Sequence, residues 1–430
     1  MSTIELGEIS SAPGTELDHL PWRRLGLAAA LLLCLICAAS ARPAPNAVRP
    51  LWSVPASDVD STTLGPEALY LHHAGELIAY DLATGAVRWR APAADALGYA
   101  QLAGPFLLLP ADPQARRADG RYAQFVRSTV ALSAETGERL WTAPGEPMAI
   151  ADGTVLMADY TRTGQFARLR LIRLGDRGTV WQRDTAGVVS FALATDGARP
   201  IQVVTVTDDG LVAVLRFADG GLLASARIPW ARGDPEEGQF NDLAVSRDHL
   251  VVNRNEQGHA ELNVYRLDTL AALWQTDGTD GYAFPCGGDG ICVNNGQGLF
   301  AYDADTGRRR WSITDIGTGG SWAATADRVV VDQPGEVGEQ YLIDAGTGAR
   351  VGANSPGETV WNTDPQEALL VLKPTAKPSG RTSIARWDLA TGRRDVLGSI
   401  DRIPVNRCQA IAHYLGCYQN DAYSVTAVGR

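Results

Sequence analysis

The chain has 430 residues, 45% of them hydrophobic, with 45 Gly, 23 Pro, 11 Trp and a formal net charge of -11. That balance excludes a disordered or collagen-like chain and describes a large folded protein rich in β-structure. The acidity, with no basic stripe interleaved with aromatics, excludes a nucleic-acid partner; lysine occurs only at Lys373 and Lys377, which reads as a bias toward arginine rather than a phosphate-binding device.

Residues 1–24 are polar, carry Glu5, Glu8, Glu16 and Asp18, and show no sustained period, so they read as a flexible cytoplasmic tail. The tail ends at Arg23 and Arg24, directly before 25–41, an uncharged run of apolar and small residues. Its length is at the short limit of the roughly 17–25 residues a transmembrane helix needs. Arginines on the N-terminal flank predict a cytoplasmic N-terminus and export of the rest. The segment therefore reads as a signal anchor that spans the cell membrane once. The alternative is a cleaved signal peptide, cut after Ala41 in Ala39-Ser40-Ala41, which would make the protein secreted. Cys34 and Cys37 follow the bulky Leu33 and Ile36, unlike lipoprotein sites, and read as lining of the membrane helix. Residues 42–50, with Pro43, Pro45 and Pro50, read as a stiff spacer, leaving 51–430 as the ectodomain.

From residue 51 one unit recurs. Its best copy is 299–311, Leu-Phe-Ala-Tyr-Asp-Ala-Asp-Thr-Gly-Arg-Arg-Arg-Trp. A short apolar strand meets an Asp/Thr/Gly turn, whose glycine can take positive φ, and a second strand carries Trp four residues after it. Copies at 80–89 and 133–141 are close. Those at 173–181, 217–221 and 267–274 are eroded, and 344–348 and 388–392 keep the turn without the Trp. With Gly85, Gly137, Gly178, Gly221, Ala271, Gly307, Gly348 and Gly392 taken as equivalent, the spacing lies near forty, the period of a propeller blade or a helical repeat. Short β-branched segments bounded by Gly, Pro and Asp decide for blades. Apolar strands at 68–72, 106–109, 155–158, 250–253 and 290–293 lie upstream of the hairpins, each preceded by a weaker one, giving four strands per unit. Trp52, Trp89, Trp141, Trp181, Trp274 and Trp311 are expected to pack one blade on the next.

The pattern apolar-x-Ala/Tyr-x-Asp-x-x-Thr-Gly-x-x-x-Trp resembles the pyrroloquinoline-quinone-like (PQQ-like) β-propeller repeat. It covers nearly all of 51–430. The resemblance implies an all-β, single propeller, and its members include quinoprotein dehydrogenases and non-enzymatic envelope propellers. The chain ends on two strands, 410–418 and 422–428, that lack an outer partner, while 51–55 is a Trp-bearing strand without a hairpin. Their pairing would close the ring and remove a free edge. Direct counting gives nine units; the family more often builds eight, and eight is the expectation.

Cys286 and Cys292, and Cys408 and Cys417, are even in number, close in sequence and similarly placed in their repeats, flanking the turn between the first and second strands. This predicts disulfides Cys286–Cys292 and Cys408–Cys417. Metal binding by the four cysteines is the rival, but no Cys-x-x-Cys spacing occurs and His413 stands alone; free buried thiols are the other alternative.

No reacting group emerges. The family's enzymes carry adjacent cysteines beside the quinone, and no Cys-Cys dipeptide exists here; no catalytic residue, cofactor or metal is assigned. Asp208-Asp209-Gly210 and Asp303-x-Asp305 read as turn chemistry rather than calcium ligands. His72 and His73 point to opposite faces of one strand and cannot chelate together. His19, His249, His259 and His413 are scattered, and the arginines of 308–310 read as exposed strand positions.

In a propeller the Asp-Thr-Gly turns share a face with the cysteine turns, and the longer connections lie on the other. These are 111–124 with Arg116, Arg117 and Arg121, 231–240 with Asp234, Glu236 and Glu237, 332–340 and 373–381, and they are the expected partner-binding loops. The expected function is a membrane-tethered, extracytoplasmic module that binds or scaffolds an unidentified envelope protein or polymer without catalysis. The alternative is a quinone-, sugar- or lactone-acting enzyme with its site in the central channel.

Overall fold

Each repeat folds as a four-stranded antiparallel sheet because its second strand is apolar on both faces and can be covered only by neighbouring sheets. The computed structural model describes residue 30 and residues 47–429, apart from 58–60, 98, 119–120, 232–239, 257–258, 278–281, 296, 315–319, 334–337, 363–367 and 404–406. The tail 1–24 and, residue 30 apart, the segment 25–41 lie outside the described residues. Among the described residues no helix is long and apolar enough to cross a membrane.

Blade 1 shows the pattern. Its strands A to D are Ser61–Leu64, Ala68–His73, Glu76–Asp81 and Val87–Pro92, hydrogen-bonded in that order. Strand B is buried without alternation over 68–71, whereas strand D alternates and buries only Trp89 and Ala91. Strand B therefore lies between two blades and strand D on the rim.

There are nine such sheets among the described residues, not the expected eight. Every eroded copy is a complete blade, because erosion removed the Trp or the glycine and left the turn. The turns are equivalent in their backbone: the N–H groups of Gly85, Gly137, Arg177, Gly220, Leu270, Gly307, Gly348 and Gly392 each donate to the carbonyl four residues earlier. All eight residues have positive φ. Arg177, Gly220 and Leu270 therefore hold the left-handed position expected for Gly178, Gly221 and Ala271, one residue later in each case.

The ring closes as the termini predicted. Blade 9 takes strands A to C from Cys408–Ile411, Tyr414–Gln419 and Ala422–Val428, and its outer strand is Val48–Pro55. That strand runs antiparallel to Ala422–Val428, from Val48 opposite Val428 to Pro55 opposite Ala422. Residues 48–50 thus belong to the clasp. In blade 8, Glu358–Thr359 pairs within its own sheet, while Trp361–Asn362 runs parallel to Gln409–Ala410 of blade 9.

The apolar core is divided into nine clusters, each shared between neighbouring blades. Six indoles cross these interfaces in one way. Trp52, Trp89, Trp141, Trp181, Trp274 and Trp311 donate Nε1–H to Leu82, Ala134, Leu174, Phe217, Ala304 and Ala345 of the next blade at 2.7–3.1 Å. Three interfaces lack this tryptophan and differ from one another. Between blades 4 and 5, Ala224 stands at its position and Leu270, buried to 5% exposure, joins the same cluster. Between blades 7 and 8, Gly352 lies so close to Gly392 that a Cβ on it would come 2.7 Å from the Gly392 carbonyl oxygen. There the fully buried Trp387, from within blade 8, donates to that carbonyl at 3.3 Å. Between blades 8 and 9 there is no C–D turn to cover, because strand D of blade 9 is Val48–Pro55 rather than a continuation of strand C.

Candidate binding face

The Asp-Thr-Gly turns form a face occupied by its own polar groups. Asp303 accepts from Thr306 N and Oγ1 and from Arg310, which also reaches Asp289 at 2.8 Å. These bonds, led by Arg310 and then Thr306, hold the Asp303 pKa down at about 2. Asp81 repeats the arrangement with Arg88 and Thr84, also at about 2. Arg310 is thus half-buried and bridging rather than an exposed strand position; Arg309 is one, and Arg308 is exposed just ahead of the strand. Asp305 turns away to His249 and Arg266 at 3.1 and 3.0 Å, so Asp303 and Asp305 do not converge. Asp209 is engaged by Thr207 and Arg227. Among the described residues no group of three metal-ligating side chains converges. His72 donates Nε2–H to the Ala93 carbonyl, and His259 faces Glu261 at 3.4 Å.

Both disulfides are present, Cys286–Cys292 and Cys408–Cys417, but their placements differ. Each joins strands A and B. Cys286 lies beside the A–B turn, opposite Gly290, whereas Cys408 and Cys417 face each other at the far end of their hairpin. The first bond therefore lies toward the Asp-Thr-Gly face and the second toward the opposite face.

That opposite face carries the main departure from regularity. Residues 111–124 are not a loop: strands B and C of blade 2 extend as Phe106–Ala118 and Arg121–Ser133 and stay paired to Ala118 opposite Arg121. Strand A reaches only to Leu108 and strand D only to Ser128. Beyond Pro113 on one strand and Val126 on the other, the ribbon has no further backbone partner among the described residues. Arg116, Arg117 and Arg121 lie on this extension. Asp234, Glu236 and Glu237 lie outside the described residues.

The ribbon's base is anchored. Phe125 and Val126 are buried, and the Phe125 ring packs 5.8 Å from Tyr160 of blade 3, which packs 5.0 Å from Phe166. Glu146, opening strand A of blade 3, accepts from Tyr99 at 3.0 Å, and its charge acts on Tyr160. Burial, then the charge of Glu146, raises the Tyr99 pKa to about 12; the same causes raise that of Tyr160. Beside the stem lies a hollow of about 820 Å³, bounded by residues 93–96, Leu109, Asp112 and Val130.

With this geometry in view, the family model described as outer membrane protein assembly factor BamB matches residues 74–354. The chain belongs to that family of PQQ-like propellers. Among solved structures, it resembles BamB from Moraxella catarrhalis at 14% identity, covering 88% of this chain and 97% of that one, with a TM-score of 0.42. A eukaryotic initiation factor is similar at 12% identity over 82% of this chain and 91% of that one, with a TM-score of 0.55, which shows a shared fold. No curated protein matches the chain. Within the family's regular scaffold, the ribbon at 106–133 is the feature that the repeat pattern does not require. Its signal in the sequence was the widest step between neighbouring turns, Gly85 to Gly137.

Proposed function

We propose that the protein is a membrane-tethered, extracytoplasmic scaffold that binds an envelope protein or polymer through the face bearing the 106–133 ribbon, without catalysis. The observation that carries this reading is the ribbon itself: a rigidly based hairpin that offers backbone edges of the kind to which a partner strand adds. Description of the family as an outer membrane protein assembly factor supports a role in assembling envelope proteins. The segment 25–41, preceded by Arg23 and Arg24, supports a single membrane anchor with the propeller outside.

Crosslinking in intact membranes tests it. Replacing 114–124, the part beyond the anchored base, by a short turn is expected to abolish capture of a defined envelope partner while the melting temperature holds. Unchanged capture would refute the ribbon's role, and dye-linked alcohol or sugar oxidation after addition of pyrroloquinoline quinone and calcium would refute the non-catalytic reading. Retention in the membrane after alkaline extraction checks the anchor; recovery of a soluble chain beginning at Arg42 would instead establish cleavage.

A further inference from the structure

The chain enters the propeller on the Asp-Thr-Gly face. Val48, the first residue of the clasp, lies opposite Val428, at the end of strand C where the other eight blades make their C–D turns. Just ahead of it the Ala47 amide donates at 3.0 Å to the carbonyl of Leu397, on Arg394–Asp401, strand D of blade 8. In the sequence only residues 42–46, with Pro43 and Pro45, separate Ala47 from the apolar run 25–41. From residue 41 to residue 47 a chain reaches at most about 22 Å. The eight residues of Val48–Pro55 then rise about 26 Å toward the ribbon's face. An anchor at 25–41 therefore holds the Asp-Thr-Gly face by a reach shorter than the distance from that face to the other.

The same face exposes aliphatic side chains at one repeated place, within the first three residues of strand D. Val87, Leu140, Val180, Leu222 and Leu223 occupy it in blades 1 to 4 and Val396 in blade 8. All are exposed, and Val396, at 65%, is the most exposed large hydrophobic among the described residues. It adjoins Leu397, the residue that holds Ala47. Scattered singly, such side chains carry no message. Here they follow the rim from blade 8 round to blade 4, interrupted at blade 9 by the clasp, and the chain enters within that arc. Blades 5, 6 and 7 begin strand D with Ala272, Arg309 and Arg350 instead. The carboxylates along the arc are paired: Asp81 with Arg88, Asp176 with Arg173, Asp219 with Arg216 and Asp395 with Arg393, at 2.6–2.9 Å. Glu135 and Glu138 of the blade 2 turn are exposed, so an anionic surface would gain nothing there over a neutral one.

We propose that the Asp-Thr-Gly face rests on the lipid surface, with Val396 and the aliphatics of blades 1 to 4 at the headgroup boundary and the 106–133 ribbon directed away from the bilayer. The proposal rests on the reading of 25–41 as a membrane anchor and says which way the anchored propeller faces. A tether alone leaves orientation free; aliphatic side chains entering the headgroup layer along one arc fix it. Ion pairs already closed within the face resist its approach to lipid less than bare carboxylates would. The ribbon, which a partner must reach, then stands on the side farthest from the membrane.

The full chain in phosphatidylcholine vesicles, with Cys34→Ala and Cys37→Ala removing the thiols outside the disulfides, tests the orientation. A fluorophore attached through Val396→Cys or Leu140→Cys should lose several-fold more emission to a headgroup-quencher lipid than one attached through Val189→Cys or Leu211→Cys. Those two controls lie at the ribbon-side ends of strands A and C of blade 4. Val180→Ser with Leu222→Ser should reduce quenching at Leu140→Cys several-fold while the chain still floats with the vesicles. Equal quenching on both faces of a floating chain, stronger quenching at Val189→Cys, or unaltered quenching in the serine variant would overturn the proposal and spare the anchor. A chain that does not float would overturn both. Shielding of the Val396→Cys label in native membranes but not in lipid vesicles would assign the rim to a protein partner and overturn the lipid contact.

Discussion

The indole of Trp89 lies flat on Gly137 of the next blade, so close that a Cβ there would come 2.5 Å from the ring. The contact works in both directions: a left-handed glycine makes room for the ring, and the ring covers the turn while its Nε1–H bonds Ala134. Trp89→Ala should destabilise the propeller by about 3–5 kcal/mol, since it removes a large buried ring and leaves a cavity. Gly137→Ala adds overpacking to an unfavourable φ and should cost about 1–3 kcal/mol. Denaturant melts of both variants check the magnitudes, and a double mutant well short of additive would establish their coupling.

Blades 4 and 5 solve the same problem with the sizes exchanged. Ala224 replaces the ring and Leu270 the glycine, and both belong to one apolar cluster. Ala224→Trp alone should destabilise by about 1–3 kcal/mol through overpacking. Adding Leu270→Gly should recover part of that loss by restoring the arrangement of the other blades. Melting temperatures of the three variants decide; a double mutant no better than the sum of the singles would show that the two positions do not communicate.

Asp81 and Asp303 give an acid limb to stability. Each has a folded-state pKa near 2, below the ordinary carboxyl value of 3.8, chiefly because an arginine and a threonine bond the carboxylate. A depressed carboxyl pKa means stabilisation that is complete above the unfolded value and disappears as pH falls through the folded one. Stability should therefore decline between about pH 4 and pH 2. Asp81→Asn with Asp303→Asn should flatten that decline while lowering stability at neutral pH. An unaltered slope in urea melts across this range would refute the assignment.

The Cys408–Cys417 bond ties strands A and B of the blade that the clasp completes. Replacing both cysteines by serine should lower stability by about 2–3 kcal/mol through the freed chain entropy of the short loop. Limited proteolysis should then cut first near blade 9, because that blade is held together by strands from both ends of the chain. Cleavage spread evenly over the ring would contradict this.

Much of the architecture could be read from 299–311 and its copies, because a strand, a left-handed turn and a tryptophan each impose a local residue preference that survives in at least three blades. The blade number could not be read with the same assurance. Gly178 and Gly221 drew the alignment one residue too far, since glycine marks the left-handed position only by preference, and Arg177 and Leu270 occupy it where the turn's hydrogen bonds hold them there. Trp387 was passed over for a related reason: it lies on strand C, outside the repeat's own tryptophan position, and only the approach of Gly352 to Gly392 gives it an interface.

The candidate surfaces divide along the same line. Sequence by itself determined the repeat, the closure by the two termini and the pairing of four cysteines, all of which follow from local pattern and short separations. Tertiary structure alone decided that 111–124 is a paired ribbon rather than a loop, because the register that pairs residues 111–118 with 121–128 is set by no repeat signal in that stretch. It alone placed Leu64 in one apolar cluster with Tyr423 and Val425, residues from opposite ends of the chain that meet because the ring closes between them.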